Sequence, residues 1–594
     1  MLDIMQQLQS FYSGEIGKYT KELAQIKKQL FASSMLRLAI FCIAGFGIYM
    51  TLGDAKWVLA VVLVTIVLFL FLVTRHAGLQ YKRDRLLALL DINRTELKVL
   101  NRDFHDLPEG DEFKDPLHYF SQDIDLFGRG SFFQYANRTA LKQGAETFAA
   151  LFKANAIGGI LQKQEAIKEL AKMPEWRQNF SATASLAKTE GKTDTIVKWL
   201  LGYKPFVPKI MRYLPLAFSA VSVLLFVLYF LDFAPESALI LWLVVGMGIT
   251  GIYTKKITKL GGDTSQVQSI FQQYNKLLTL IEDTDFTSDY LKQLKGNVLR
   301  DKEKTSLIIA KFSKQLNSLD KNNNIIYLFF GNGFFLRTLT HCYEIENWIE
   351  KHGAFVEKWF DTIAFFDAYN SLGNFGFNHP DYSYPSINND AAVLKSTGAG
   401  HPLLNPTKSV LNDFQIDREQ FFIVTGANMA GKSTFLRTVS LQIVMANVGL
   451  PLCAEKVAYS PIKLITSMRT TDSLTDDESY FFSELKRLKF IVDEIQDDRY
   501  FIVLDEILKG TNSTDKAEGS RKFVERLVAS KSTGIIATHD LSLCEVAKTL
   551  PQVENHYFDA EIIDDELHFD YKFKDGICQN MNASFLLKKM EIVE

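Results

Sequence analysis

Apolar and polar positions are unevenly spread along the 594 residues. Four runs are almost purely apolar: Leu38 to Leu52, Trp57 to Val73, Leu214 to Leu231, and Ala238 to Tyr253. They pair as two hairpins, and each run is about as long as, or slightly shorter than, the roughly 17–25 residues of a spanning helix. Buried helices of a soluble core share that length range, so the flanks decide. Lys27, Lys28 and Arg37 precede the first run, and Arg75, Lys82, Arg83 and Arg85 follow the second. Lys204, Lys209 and Arg212 precede the third, and Lys255, Lys256 and Lys259 follow the fourth. The turns carry only Asp54 with Lys56, and Asp232 with Glu236. That asymmetry follows the positive-inside pattern. It predicts a multi-pass membrane protein with four transmembrane helices in the lipid bilayer, its N-terminus, middle region and C-terminal part on the cytoplasmic side.

No Asp, Glu, Lys, Arg or His lies within the four runs, which favours anchoring over conduction, although Ser219, Ser222 and Thr250 could line a path. The opening residues, with "KYTKELAQIKKQL", read as a polar helix rather than a cleavable signal. The pattern divides the chain into a cytoplasmic helix (1–34), a hairpin (35–74), a helical segment (86–212), a second hairpin (214–254), further helices (260–395) and a C-terminal domain (400–594). In that last part β-branched and aromatic runs, "FFIV", "YFIVLDE" and "TGIIATHD", alternate with helical stretches. Such alternation predicts an α/β domain with a mainly parallel sheet.

Charge adds little, because 66 basic residues against 69 acidic ones exclude a simple polycation and leave a nucleic-acid partner open. Cys42, Cys342, Cys453, Cys544 and Cys578 show no CxxC spacing and fit a reducing compartment.

The candidate chemistry sits at the first strand-to-helix junction of the C-terminal domain, in "TGANMAGKST". Gly426 to Ser433 fits GxxxxGK[ST], with "FFIV" before it as strand and "TFLRTVSLQIVMANV" after it as helix. Gly426 and Gly431 let backbone N–H groups face phosphate oxygens at a helix N-terminus, and Thr434 closes the stretch. Lys432 would reach the β- and γ-phosphates of ATP, and the Ser433 hydroxyl would ligate Mg2+. "YFIVLDE" ends in Asp505 and Glu506, placed to hold the metal and to activate water. "IIATHD" ends in His539, able to contact a γ-phosphate; such a residue alone is more often a structural cap.

"TGANMAGKSTFLRT", "LDEILKGTNSTD" and "ATHD" resemble the ATPase domain of the MutS family, whose loop reads TGPNMGGKST and whose acidic motif reads DEIGRGTSTYDG. "GHPLL" (400–404), "ESYFFSEL" and "YKFKDGICQNMNASFLLKKM" resemble further parts of that domain, and "DIDLFGRGSFFQYANRTALKQGAETF" (123–148) resembles the start of the family's helical core. The resemblance implies a helical MutS-like core with two transmembrane hairpins and a P-loop ATPase domain. It places Asn428 at the phosphate, makes His539 a γ-phosphate sensor, and gives Glu506, His539 and Lys432 the catalytic roles. It also implies a homodimer with composite sites, in which Ser479 reaches the partner's nucleotide beside the 511–515 segment, and DNA as a further partner in a mismatch-repair or DNA-structure role.

The departures from the family are specific. Asp477 and Glu478 stand where Gly-Arg precedes the signature serine, and Leu508 with Lys509 replaces Gly-Arg after the acidic pair. The mismatch-reading and connector domains and the C-terminal helix-turn-helix are expected to be absent. Lys292, Lys295, Arg300, Lys302 and Lys304 could contact DNA phosphates, though a solvated helix face explains them equally. A membrane mechanotransducer or transporter-like ATPase without DNA is the competing reading. An idle scaffold is disfavoured by the complete set of cis residues.

Overall fold

No proline occurs before Pro108, and the polar N-terminal segment fuses with the first apolar run into one helix, α1 (Leu2–Met50). The second run likewise continues into polar sequence as α2 (Ala55–Leu100). In the computed structural model, which describes residues 2–187, 193–300, 303–320, 325–388, 392–469, 480–508, 512–563 and 566–579, the two helices pack as one long hairpin. At 1.5 Å per residue each arm is about 70 Å long. At its base Tyr19, Leu23, Leu86, Leu89 and Leu90 bury against Ala182, and Tyr12 Oη donates to Asn378 Oδ1 at 2.6 Å. Toward the tip the apolar side chains face outward, with Phe41, Tyr49, Trp57 and Phe71 each 65–71% exposed.

The second apolar region departs from expectation. It forms α3 (Leu214–Phe230) and α4 (Glu236–Ile252), and the chain bends by 63° before α5 (Thr254–Glu282). By length and composition two helices, α1 and α2, can cross a membrane, or three if α4 and the start of α5 count as one bent span; the expected set of four is not supported. The reason is length: α3 and α4 have 17 residues each. That gives about 26 Å, short of a hydrocarbon core of about 30 Å. A further apolar helix, α6 (Ile325–Phe335), packs against both.

The helical body is organised around α7 (Val356–Asn378), buried over most of its length against the helices Lys142–Lys153 and Ile160–Ala171. One continuous apolar core runs from these helices into the α/β part. There a six-stranded sheet comprises β1 (Phe421–Gly426), β2 (Lys463–Ser467), β3 (Tyr500–Asp505), β4 (Thr533–Ala537), β5 (Val553–Phe558) and β6 (Lys574–Asp575) in the order β6-β5-β1-β4-β3-β2. Only β6 runs antiparallel to its neighbour. β1 and β4 are buried at every position, as expected of parallel strands covered on both faces. A second sheet of four strands, starting at Ser386, flanks the domain. The mixed helical and α/β class with a mainly parallel sheet is therefore observed.

Candidate functional site

Register brings the candidate residues together. Ala537 on β4 pairs with Val424 on β1 and with Asp505 on β3, so three parallel strands end side by side. Their C-terminal ends deliver the phosphate-loop sequence, the acidic pair and His539 to one edge, where ligands of open parallel sheets bind.

From β1 the chain enters the loop 427–431 and then α8 (Lys432–Val448). Gly426 has φ +148, and a Cβ there would lie 2.6 Å from the Phe558 carbonyl oxygen. Gly431 has φ +108 and leads into α8 without any side-chain cap. The leading N–H groups of a helix lack intrahelical partners, so this terminus presents donors and a positive dipole end. Asn428 is exposed on the loop, and Thr434 is exposed in the first turn of α8.

Lys432 is buried, and its Nζ donates to the carbonyls of Gly426 at 2.7 Å and Ala427 at 3.0 Å. Burial lowers its pKa, against the opposing pull of Asp505 and Glu506. The Ser433 hydroxyl donates to Asp505 Oδ2 at 2.7 Å. His539 Nε2 lies 3.0 Å from Glu506 Oε1 and 3.3 Å from Lys432 Nζ. One ring nitrogen cannot donate to the first and accept from the second. With Nε2 protonated it serves Glu506, and the two carbonyls keep Lys432.

The acidic turn itself is held in an uncommon shape. Glu506 has φ +53 and Leu508 φ +58, a region that costs a residue with a side chain about 1–2 kcal/mol. Leu508 stands where the resembled motif has glycine, so the conformation persists without the residue that adopts it most easily. Backbone bonds fix it: Glu506 N–H donates to Ala537 O at 2.9 Å, and Leu508 N–H donates to Glu484 Oε1 at 2.5 Å.

These residues fit a magnesium nucleotide. Among the described residues no group of three or more His, Cys, Asp and Glu could by itself hold a metal. Ser433 and Asp505 offer two oxygens, leaving the rest of an octahedral shell to phosphate and water, as Mg2+ prefers. Ser479 lies outside the described residues, as does Thr511.

The MutS domain V family model matches residues 422–591, which contain every residue of this edge. Over this segment the chain is similar to the MutS family. Over 219 residues it is 30% identical to the DNA mismatch repair protein MSH4 of Arabidopsis thaliana, covering 35% of this chain and 27% of that one. It is 28% identical over 255 residues to MutS protein homolog 4 of Homo sapiens (41% and 26%), and 31% identical over 205 residues to the DNA mismatch repair protein MutS of Natronomonas pharaonis (34% and 24%). The chain thus spans about a quarter of the length of these curated relatives.

The structure adds residues that motif reading passed over. Asp123, in the helical body, accepts from Thr466 Oγ1 at 2.5 Å and from Arg469 N–H at 2.9 Å. Asp125 pairs with Arg437 of α8 at 3.3 Å and with Arg469 at 2.7 Å. Arg487 donates to the carbonyls of Tyr119 and Thr466. The "DID" at 123–125 was the available signal, two carboxylates at a domain start, but their partners are more than 300 residues away. Tyr571, whose ring would be 3.2 Å from a Cβ on Gly431, walls the loop and was also missed. Conversely, the candidate DNA lysines are paired: Lys292 with Asp289, Lys295 with Asp285 and Lys304 with Asp283. Lys302 lies outside the described residues.

Proposed function

We propose that this protein is a MutS-like, membrane-anchored ATP hydrolase that works as a dimer and couples its nucleotide cycle to DNA. The convergence of Lys432, Ser433, Asp505, Glu506 and His539 on one sheet edge is the observation that carries it. The bare N-terminus of α8 would receive the phosphates, with Gly426, Asn428, Gly431 and Thr434 shaping the loop. Ser433 and Asp505 would hold Mg2+. Bound there, magnesium ATP supplies the phosphoanhydride bond that is broken. Glu506 orients a water and accepts its proton, His539 fixes the Glu506 carboxylate, and Lys432 turns from the loop carbonyls to the phosphate oxygens. Ser479 of a second copy would complete the site.

The outward-facing apolar tip of the α1–α2 hairpin and its basic base support anchoring, with the N-terminus, the middle region and the C-terminal domain cytoplasmic and the apolar helices α3 and α4 at the membrane. DNA enters through the names of the relatives. The test is the ATPase rate of the detergent-solubilised full-length protein with duplex, mismatched and branched DNA across a salt series, with Glu506→Gln as control. Stimulation that fades with salt supports the DNA reading. A steady basal rate indifferent to all DNA rejects it. It would favour the second reading, a membrane mechanotransducer or transporter-like ATPase without nucleic acid, which the acid pairing of Lys292, Lys295 and Lys304 already supports.

A further inference from the structure

The helix α6 lies outside all four apolar runs that the sequence pattern singles out, yet "IIYLFFGNGFF" has no charged side chain and packs against both α3 and α4. The contact with α4 is backbone-close. A Cβ at Gly246 would lie 2.3 Å from the Gly333 carbonyl oxygen, and one at Gly333 would lie 2.8 Å from Leu243 Cγ. Small residues that let helix backbones touch are characteristic of packing in lipid.

This three-helix unit holds paired polar groups inside, beside Phe218 and Phe334, and shows apolar side chains outside. Inside, Ser222 donates to the Phe334 carbonyl at 2.6 Å and accepts from Trp242 Nε1 at 2.8 Å. Asn332, also fully buried, accepts from Thr338 N–H at 2.9 Å. Outside, Phe329 and Phe330 of α6, Leu241 and Val244 of α4 and Leu224 of α3 are all exposed. In water this arrangement hides hydrogen-bonding groups and leaves large apolar side chains of all three helices exposed. Against acyl chains the exposed apolar side chains are solvated, while Ser222 and the Trp242 indole are already paired inside.

The described helices before and after α6 come together at one end. The flanking helices Thr305–Asp320 and Arg337–His352 pack antiparallel, with His341 against Gln315 at 2.8 Å and Trp348 Nε1 donating to Ile308 O at 3.0 Å. Asp320 and Arg337 therefore share an end. The 11 residues of α6 give about 16 Å, half a hydrocarbon core. Exposed basic residues border the unit: Lys209 and Arg212 before α3, Lys255 and Lys259 after α4, and Arg337 after α6. They complement anionic headgroups.

We propose that α6 belongs to a re-entrant membrane segment, seated on α3 and α4 with Phe329 and Phe330 against the acyl chains of one leaflet and with Asp320 and Arg337 both on the cytoplasmic side. This rests on the membrane reading above and adds a partner, the lipid leaflet, to a segment that reading does not include.

The test uses full-length protein in vesicles of phosphatidylcholine and phosphatidylglycerol, in a Cys42→Ser, Cys453→Ser background whose other three cysteines are buried. An environment-sensitive fluorophore is attached at Phe330→Cys, Phe329→Cys, Leu241→Cys, Lys314→Cys or Glu344→Cys, one at a time. The expected result is quenching by brominated lipid and protection from aqueous iodide at Phe330, Phe329 and Leu241, with Lys314 and Glu344 reached by iodide from the same face. Quenching at Leu241 but at neither phenylalanine position overturns the proposal and leaves the membrane reading standing. Quenching at none of the three overturns the proposal, and a further probe at Trp57→Cys, near the tip of the α1–α2 hairpin, then decides the membrane reading: quenching there keeps it and no quenching overturns it as well. Iodide reaching Lys314 and Glu344 from opposite faces shows a crossing segment and overturns re-entry alone.

Discussion

The Ser433 hydroxyl and the Asp505 carboxylate are joined at 2.7 Å, linking the first turn of α8 to the end of β3. Both oxygens are those a magnesium ion would take, so Ser433→Ala should raise the Mg2+ concentration needed for half-maximal ATP turnover. A hydrogen bond to a charged group is worth about 1.5–3 kcal/mol, so the shift should be roughly tenfold or more. A Mg2+ titration of turnover measures it. An unchanged midpoint would remove Ser433 from the metal site.

Glu506 is the residue here best placed to take a proton from water, because His539 fixes its carboxylate and Ala537 fixes its backbone. Glu506→Gln should reduce single-turnover hydrolysis by about 10²–10⁴-fold. Nucleotide binding, read with a fluorescent ATP analogue, should stay within a few-fold of the parent. Equal losses in both would mean that Glu506 shapes the site rather than acting in it.

The site was legible because its chemistry is local. Lys432 and Ser433 follow β1 directly, and Asp505 and His539 each come at or just after a strand end, so motif and strand pattern suffice to gather them. The membrane region was less legible, because hydropathy reports composition and not where a helix bends or stops. α4 ends at Ile252 and the axis turns before α5, which no run of apolar letters announces. α6 was hidden by its 11-residue length. The carboxylates of Asp123 and Asp125 escaped for the opposite reason, since their meaning depends on Arg437, Thr466 and Arg469, distant in sequence and adjacent only after folding.

Gly426 marks the closest backbone approach at the loop. Replacing it with alanine puts a methyl group 2.6 Å from the Phe558 carbonyl oxygen, at a φ of +148 that side chains avoid. Loop and β5 must then move apart. Gly426→Ala should abolish ATP binding while the circular dichroism spectrum stays that of the parent. Retained affinity would show that the loop can shift without losing its anion site.

The buried Asp123 contact ties the helical body to the α/β domain. Asp123→Ala leaves the Thr466 hydroxyl and the Arg469 N–H without their acceptor, a loss of about 1–3 kcal/mol for buried groups. The expected outcome is a lower melting temperature with faster proteolysis between the body and the α/β domain. Asp125→Ala removes partly exposed ion pairs and should change the melting temperature much less. Equal effects of the two substitutions would contradict the ranking by burial.

Asp367 gives the chain a pH dependence of known sign. Its carboxylate is fully buried on α7 and accepts the N–H groups of Ala140 at 3.0 Å and Leu141 at 2.8 Å, ahead of the helix Lys142–Lys153. Burial pushes its pKa up from 3.8 to about 7, and the two backbone donors only partly oppose this. In the folded protein the group therefore holds its proton to higher pH than in the unfolded chain. Stability from this residue is complete below about pH 4 and falls as pH rises toward 7, because only the unfolded state gains from early ionisation. Above pH 7 both states are ionised and the contribution is flat. Asp367→Asn keeps an acceptor but cannot ionise, so its melting temperature relative to the parent should rise between pH 5 and pH 8. Thermal melts of both proteins in one detergent across that range measure the difference. A difference that is constant, or that falls as pH rises, would show that the carboxylate is already ionised in the fold and that the Ala140 and Leu141 donors outweigh burial.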